Sequence, residues 1–247
     1  MLLAALALAL AVQEPDPAPL AEPAAELDAL LAACREAAAI EATVHLVGEQ
    51  DRGPAEAPLL VADVRLGLRM ARPCSGRLDL KGRLLEGLVE GQPRYRQDER
   101  SVIGDGAALW LVDHAARSVR RAGGSPAELG EDWPALIPLQ AWAGIPLPPE
   151  AVVTRLAEPP EEGWRGYRVR LGMEGLGWSS DCWFDAEDRL RRCTLDPSAE
   201  LQRRLREAGG EAIPRFRAEV SGWRLHAEAD AAAWAAALPD GLRREDG

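Results

Sequence analysis

From Ile40 onward the chain is patterned with a period of two. Val64, Leu66, Leu68 and Met70 alternate with Asp63, Arg65, Gly67 and Arg69, which is how a strand with one buried and one wet face reads. Similar short segments recur at 43–47, 77–80, 84–89, 101–103 and 109–112, and again at 152–156, 167–171, 178–184, 190–195 and 216–220. Roughly ten or eleven strands joined by short turns predict an α+β, mainly β fold: one curved antiparallel sheet forming a half-open barrel. The helical period appears first at Glu26–Ala39, where Leu27, Leu30, Leu31 and Cys34 fall at 3–4 spacing and predict an N-terminal helix. Between the two blocks of strands, Pro126–Trp142 carries Leu129, Trp133, Leu136, Leu139 and Trp142, but Pro134 and Pro138 divide it into short pieces. Those pieces are expected to lie across the sheet as a central lid. Ser198–Ala208 reads as a polar helix capped by Asp196 or Ser198, and Asp230–Leu238 as a short closing helix with an Asp N-cap.

The first twelve residues, Met1–Val12, are apolar and uncharged. A run of that length falls short of the roughly 20 residues a membrane span requires. It fits the apolar core of a secretory signal, with Ala9-Leu10-Ala11 as the small-x-small cleavage site, although no Lys or Arg precedes it. A buried N-terminal helix or a misplaced start is the alternative. The expected organisation is a signal at residues 1–11, a Pro- and Ala-rich tether at 12–23, and one domain over 24–247. Export gives the four cysteines a meaning, since disulfides persist in oxidising compartments. Cys182 and Cys193 flank a predicted hairpin turn and are expected on facing strands, leaving Cys34 and Cys74 as the other pair. Four buried free thiols is the plainer alternative. The cysteine spacings contain no C-x-x-C, so neither zinc nor thioredoxin chemistry is expected.

Composition narrows the function. Forty acidic against 29 basic residues give a net charge of −11, which argues against a nucleic-acid surface. Lys81 is the single lysine and asparagine is absent, a skew that codon bias explains and that cautions against over-reading each arginine. His45, His114 and His226 lack metal-ligand spacing, and no nucleophile elbow, P-loop or dinucleotide fingerprint occurs. No catalytic constellation, cofactor or metal is therefore expected. Tryptophan stands out, with eight against two Phe and two Tyr. Eight large rings either fill the core or line a hydrophobic cavity.

Three segments resemble a known family. Gly104-Asp105-Gly106 followed by Leu109-Trp110-Leu111-Val112-Asp113 is similar to the turn-and-strand element of the outer-membrane lipoprotein carriers of the bacterial periplasm and related lipid-binding periplasmic proteins. Arg72-Pro73 followed by Arg77-Leu78 resembles their strand junction, and Trp223 through Asp230 and Trp234 to Pro239-Asp240-Gly241 resembles their closing strand, helix and turn. The segments Ser198–Gly210 and Leu84–Arg100 depart from the compact carrier. The resemblance implies a soluble, monomeric periplasmic protein whose half-barrel holds lipid or lipoprotein acyl chains beneath a lid. It implies a cavity lined by Val64, Leu66, Leu68, Met70, Trp110, Trp133, Leu136 and Trp142, with Arg77 pinning the lid. A sensor module for a membrane-associated protein partner, and an unrecognised hydrolase, are the competing readings.

Overall fold

The computed structural model describes residues 22–52, 57–132, 136–173 and 176–245. Helix α1 (Glu22–Glu36) leads into β1 (Ala39–Gln50), followed by the meander β2 (Leu59–Ala71), β3 (Ser75–Val89), β4 (Gln92–Asp105), β5 (Leu109–Asp113) and β6 (Ser118–Gly123). A 3-10 segment, Pro126–Asp132, and helix α2 (Ile137–Ala143) precede a second meander of β7 (Val152–Leu156), β8 (Arg165–Met173), β9 (Leu176–Phe184) and β10 (Leu190–Pro197). Helix α3 (Ala199–Glu207), β11 (Arg215–His226), the single turn α4 (Ala231–Trp234) and β12 (Arg243–Arg244) close the chain. The fold is thus mainly β, as the alternation predicts.

All strands belong to one open sheet, ordered β12-β6-β5-β4-β3-β2-β1-β11-β10-β9-β8-β7. Every pairing is antiparallel except the two-residue pair of β12 on β6. The two meanders meet at one seam, where β1 pairs with β11 from Ala39↔His226 to Glu49↔Arg215. One face of this sheet wraps α1 and α2, and a continuous core runs from Leu109 on β5 through Met70 and Ile40 to Phe184 and Tyr167 at the far end. Within β2, Val64, Leu66, Leu68 and Met70 are buried, while the alternating Arg65, Gly67 and Arg69 face solvent.

Several boundaries differ from the sequence reading. α1 begins at Glu22, so the last two residues of the expected tether are already helical. Residues 77–80 and 84–89 form one strand, and 101–103 is only the end of a 14-residue β4. Together β3 and β4 run past the last β2 partner, Leu84, to a tip where Leu88 and Val89 are exposed. The closing helix is one turn rather than Asp230–Leu238. Asp230 caps it, but the Ala236 N–H donates to the Gly104 carbonyl (3.0 Å) and Leu238 joins an apolar cluster on the outer face of the sheet. α2 is stopped by Gly144, whose φ of 86° suits a residue without a Cβ at a left-handed helix end. No helix among the described residues is long and apolar enough to cross a membrane. The apolar run Met1–Val12 lies outside the described residues.

Candidate functional site

Helix α1 carries apolar residues at two registers and so presents two apolar stripes. Leu27, Leu31 and Cys34 enter the core. The neighbouring stripe, Ala29, Leu30 and Ala33, faces Trp223 and Leu225 near the end of β11 across an open groove of about 730 Å³. Cys34 and Trp223, both nearly inaccessible, belong to the same lining. The far wall is Arg165 at the start of β8 together with the β9–β10 turn, Glu187–Arg189. The groove therefore has an apolar floor and a rim of both charge signs. His226 closes one end of the lining, but its ring turns to the outer face of the sheet, edge-on to Trp234 with centroids 5.2 Å apart and Nε2 3.9 Å from a Glu41 carboxylate oxygen.

The turn that forms the wall is built around Asp185, itself 5% exposed. Its carboxylate accepts the backbone N–H groups of Glu187 and Arg189, both at 3.0 Å, and the Nε–H groups of Arg189 (2.8 Å) and Arg191 (2.7 Å). Burial alone would raise its pKa, but the hydrogen bonds from Arg189, Arg191 and Glu187 hold it below the usual carboxylate range. A depressed carboxylate contributes stability that is present above its unfolded-state pKa and lost as pH falls through the folded value. Asp185→Asn is expected to cost about 2–4 kcal/mol at neutral pH. The gap between wild type and variant should close as pH drops below about 4, which urea melts across that range will check.

At the C-terminal end of α1 one guanidinium ties the helices together. Arg72 donates from Nη1 to the carbonyl of Arg35 in the last turn of α1, and from Nη2 to the carbonyl of Trp142 in the last turn of α2. Its guanidinium carbon also lies 5.5 Å from the Trp142 ring centroid. Both acceptors are helix C-terminal carbonyls, where a cation is favoured by the helix dipole. Arg72 thus occupies the role expected of Arg77. Arg77 instead faces Asp79, with its Nε 2.7 Å from both carboxylate oxygens, and reaches Ser101 on the outer side of the sheet.

The predicted lining residues fall into three groups. Val64, Leu66, Leu68, Met70, Leu136 and Trp142 come together with α1 in the main core, none more than 8% exposed. They fill the concave face and do not line the groove. Trp110 packs on the opposite face against Ile103, Val112 and Leu238, and its indole N–H donates to Asp105 at 2.8 Å. Asp105 also accepts the N–H groups of Ala107 and Ala108, so the Asp-Gly and Trp motif is a turn lock rather than a cavity element. Trp133 lies outside the described residues. The groove escaped the sequence reading because its walls come from residues 29–34, 165, 187–189 and 223–226. Only the second apolar stripe of α1, through Leu30, hinted at it.

The four cysteines are free thiols here. Cys182 and Cys193 are register partners on β9 and β10, as the hairpin reading requires. Cys34 and Cys74 do not pair with each other. Cys34 lies within electrostatic reach of Cys182, and Cys74 within that of Asp105. Burial pushes the Cys34 thiol up to about 12, leaving it protonated at neutral pH.

A serine and a histidine also meet on the outer face, bearing on the hydrolase reading. Ser101 Oγ is 2.8 Å from His114 Nε2 and 2.5 Å from Asp79 Oδ1. The serine has one proton, and an ionised carboxylate can only accept, so Ser101 donates to Asp79 and His114 donates to Ser101. That polarity is the reverse of a base activating a nucleophile, and Ser101 is 2% exposed. The network joins β3, β4 and the β5–β6 turn as a structural tie. Compared with known proteins, the chain matches no family model and no curated protein.

Proposed function

We propose that the protein is a non-catalytic carrier or binding protein for acyl chains in an exported compartment, and that the chain lies in the groove between α1 and β11. The observation that carries this reading is the groove itself. Its volume of about 730 Å³ lies within the roughly 300–1,000 Å³ of small-molecule sites, and its apolar floor is rimmed by Glu26, Arg165, Glu187, Asp188, Arg189 and Arg224. An acyl chain gains about 0.8 kcal/mol per methylene removed from water, so even a dozen methylenes, half-covered, supply about 5 kcal/mol. The charged rim, with Arg165 and Arg189 on the far wall, offers positions for a polar head group. The apolar run Met1–Val12 and the resemblance of the Arg72-Pro73, Asp105–Trp110 and Trp223–Gly241 segments to lipoprotein carriers support the same reading.

Native mass spectrometry of the purified protein lacking residues 1–11 is expected to show co-purifying lipid. The delipidated protein should bind a fluorescent polyene fatty acid saturably, with one site per chain. Leu30→Arg is expected to weaken that binding at least tenfold, whereas Arg77→Ala on the outer face should leave it unchanged. Absence of both co-purified lipid and saturable probe binding in a folded protein would refute the proposal.

A further inference from the structure

Behind the groove lies a cluster of three sulfur atoms that the groove's proposed occupant does not use. Cys182 and Cys193 stand directly opposite one another on β9 and β10. Both side chains point to the core face, at 0% and 1% exposure, and their Sγ atoms are 3.2 Å apart. Side chains of directly opposed strand residues are the ones within reach of a bond of about 2.05 Å. The segment between them is the hairpin turn whose Glu187, Asp188 and Arg189 form the far wall of the groove. Cys34 joins the cluster from α1 and reaches the groove floor on its other side.

We infer that Cys182 and Cys193 are an oxidisable dithiol that closes to a disulfide and staples the groove's far wall, while Cys34 remains a thiol. The oxidant required is an external disulfide, and the exchange is balanced. The thiolate of one cysteine attacks the external disulfide, forming a mixed disulfide and releasing one thiolate. The second cysteine's thiolate then attacks the protein sulfur of that mixed bond, and the other half leaves as a second thiolate. Two electrons pass to the external disulfide, and the two protons from the protein thiols end on its two halves. Deep burial restricts this exchange in the folded state, so the bond forms as the β9–β10 hairpin assembles. The inference is independent of what the groove holds. It gives export a chemical purpose, because only an oxidising compartment sustains the bond.

The test is refolding of the full chain from denaturant in a buffer of reduced and oxidised glutathione, followed by thiol titration and tryptic mapping. Titratable thiols should fall from four to two, with the mass loss of two hydrogens. Arg189, Arg191 and Arg192 lie between the two cysteines, so trypsin separates them and the bond appears as a crosslinked peptide pair. Cys34 and Cys74 should be alkylated. The double variant Cys34→Ser, Cys74→Ser must lose its two remaining thiols in the same way, and it serves where single changes at the buried pair prevent folding. Closing a loop of this length is expected to raise the folding equilibrium constant roughly a hundredfold over the reduced protein. A crosslink from Cys34 to Cys182 or to Cys74 overturns the assignment, as does a refolded protein that keeps four thiols.

Discussion

Arg72→Ala is expected to lower the unfolding free energy by about 3–5 kcal/mol. Arg72 makes two hydrogen bonds as a charged donor, each about 1.5–3 kcal/mol, and a cation–π contact of about 0.5–2 kcal/mol, and these overlap. The change strands the carbonyls of Arg35 and Trp142 at the ends of α1 and α2. It also uncovers Trp142, one of the largest fully buried side chains. At the size of this chain the melting temperature should fall by about 10 °C, since each kcal/mol is about 2–4 °C. Arg72→Lys restores the charge but cannot span two carbonyls with a planar fork, so it should recover less than half of the loss. Arg72→Met retains the apolar stem alone. If Arg72→Met melts with wild type, the guanidinium is not what joins the helices. Hydrogen exchange locates the effect: α2 amides should lose protection first, ahead of β1 and β2, whose ladders do not depend on Arg72.

The second large effect separates core from groove. Leu68 is 4% exposed, pairs with Ala42 and Leu78 on the strands beside it, and sits within the main core. Leu68→Arg buries an unpaired charge and is expected to cost about 3–5 kcal/mol or prevent folding. Leu68→Met, which conserves volume, should cost less than about 1.5 kcal/mol. Leu30 is only half-buried, on the lateral stripe of α1. Leu30→Arg can turn its head to solvent and should change stability by no more than about 1 kcal/mol while weakening acyl-probe binding at least tenfold. Thermal melts and probe titrations on the same three variants decide the matter. Were Leu30→Arg to bind probe normally while Leu68→Met lost it, the acyl site would have to lie in the concave core instead.

The strands with one buried face were readable because burial imposes the period of two. Val64 through Met70 is the clearest instance, and the same logic located β5, β7, β9 and β10. β6 was not found because Arg120 and Arg121 are adjacent and exposed, which erases alternation in a strand only six residues long. Placing Cys182 opposite Cys193 needed only local turn geometry and was therefore legible. The strand order was not: nothing in residues 39–50 announces that their partner is 215–226. The Arg72 tie between the helices shows a second limit. Arg72 and Arg77 are equally basic in sequence, and only the direction of the backbone after β2 decides which one reaches α2. The groove shows a third, since its lining is assembled from four separate stretches of chain.

The β1–β11 seam also governs the order in which the protein can fold. Strands β2 to β6 pair only with sequence neighbours except at the outer edge of β6, as do β7 to β10 within their own block. Each meander can therefore nucleate through hairpins that close short loops, which is the fast part of building a sheet. Residue 39 pairs with Ala71 on one side, but its partner on the other is residue 226, and joining such distant segments carries a far larger loop-closure cost than the hairpins do. Until they join, the inner faces of β1 and β11 lack their common cover, and the groove, which needs both α1 and the end of β11, does not yet exist. The cleft between α1 and β11 thus takes shape only after residue 226 has joined the sheet.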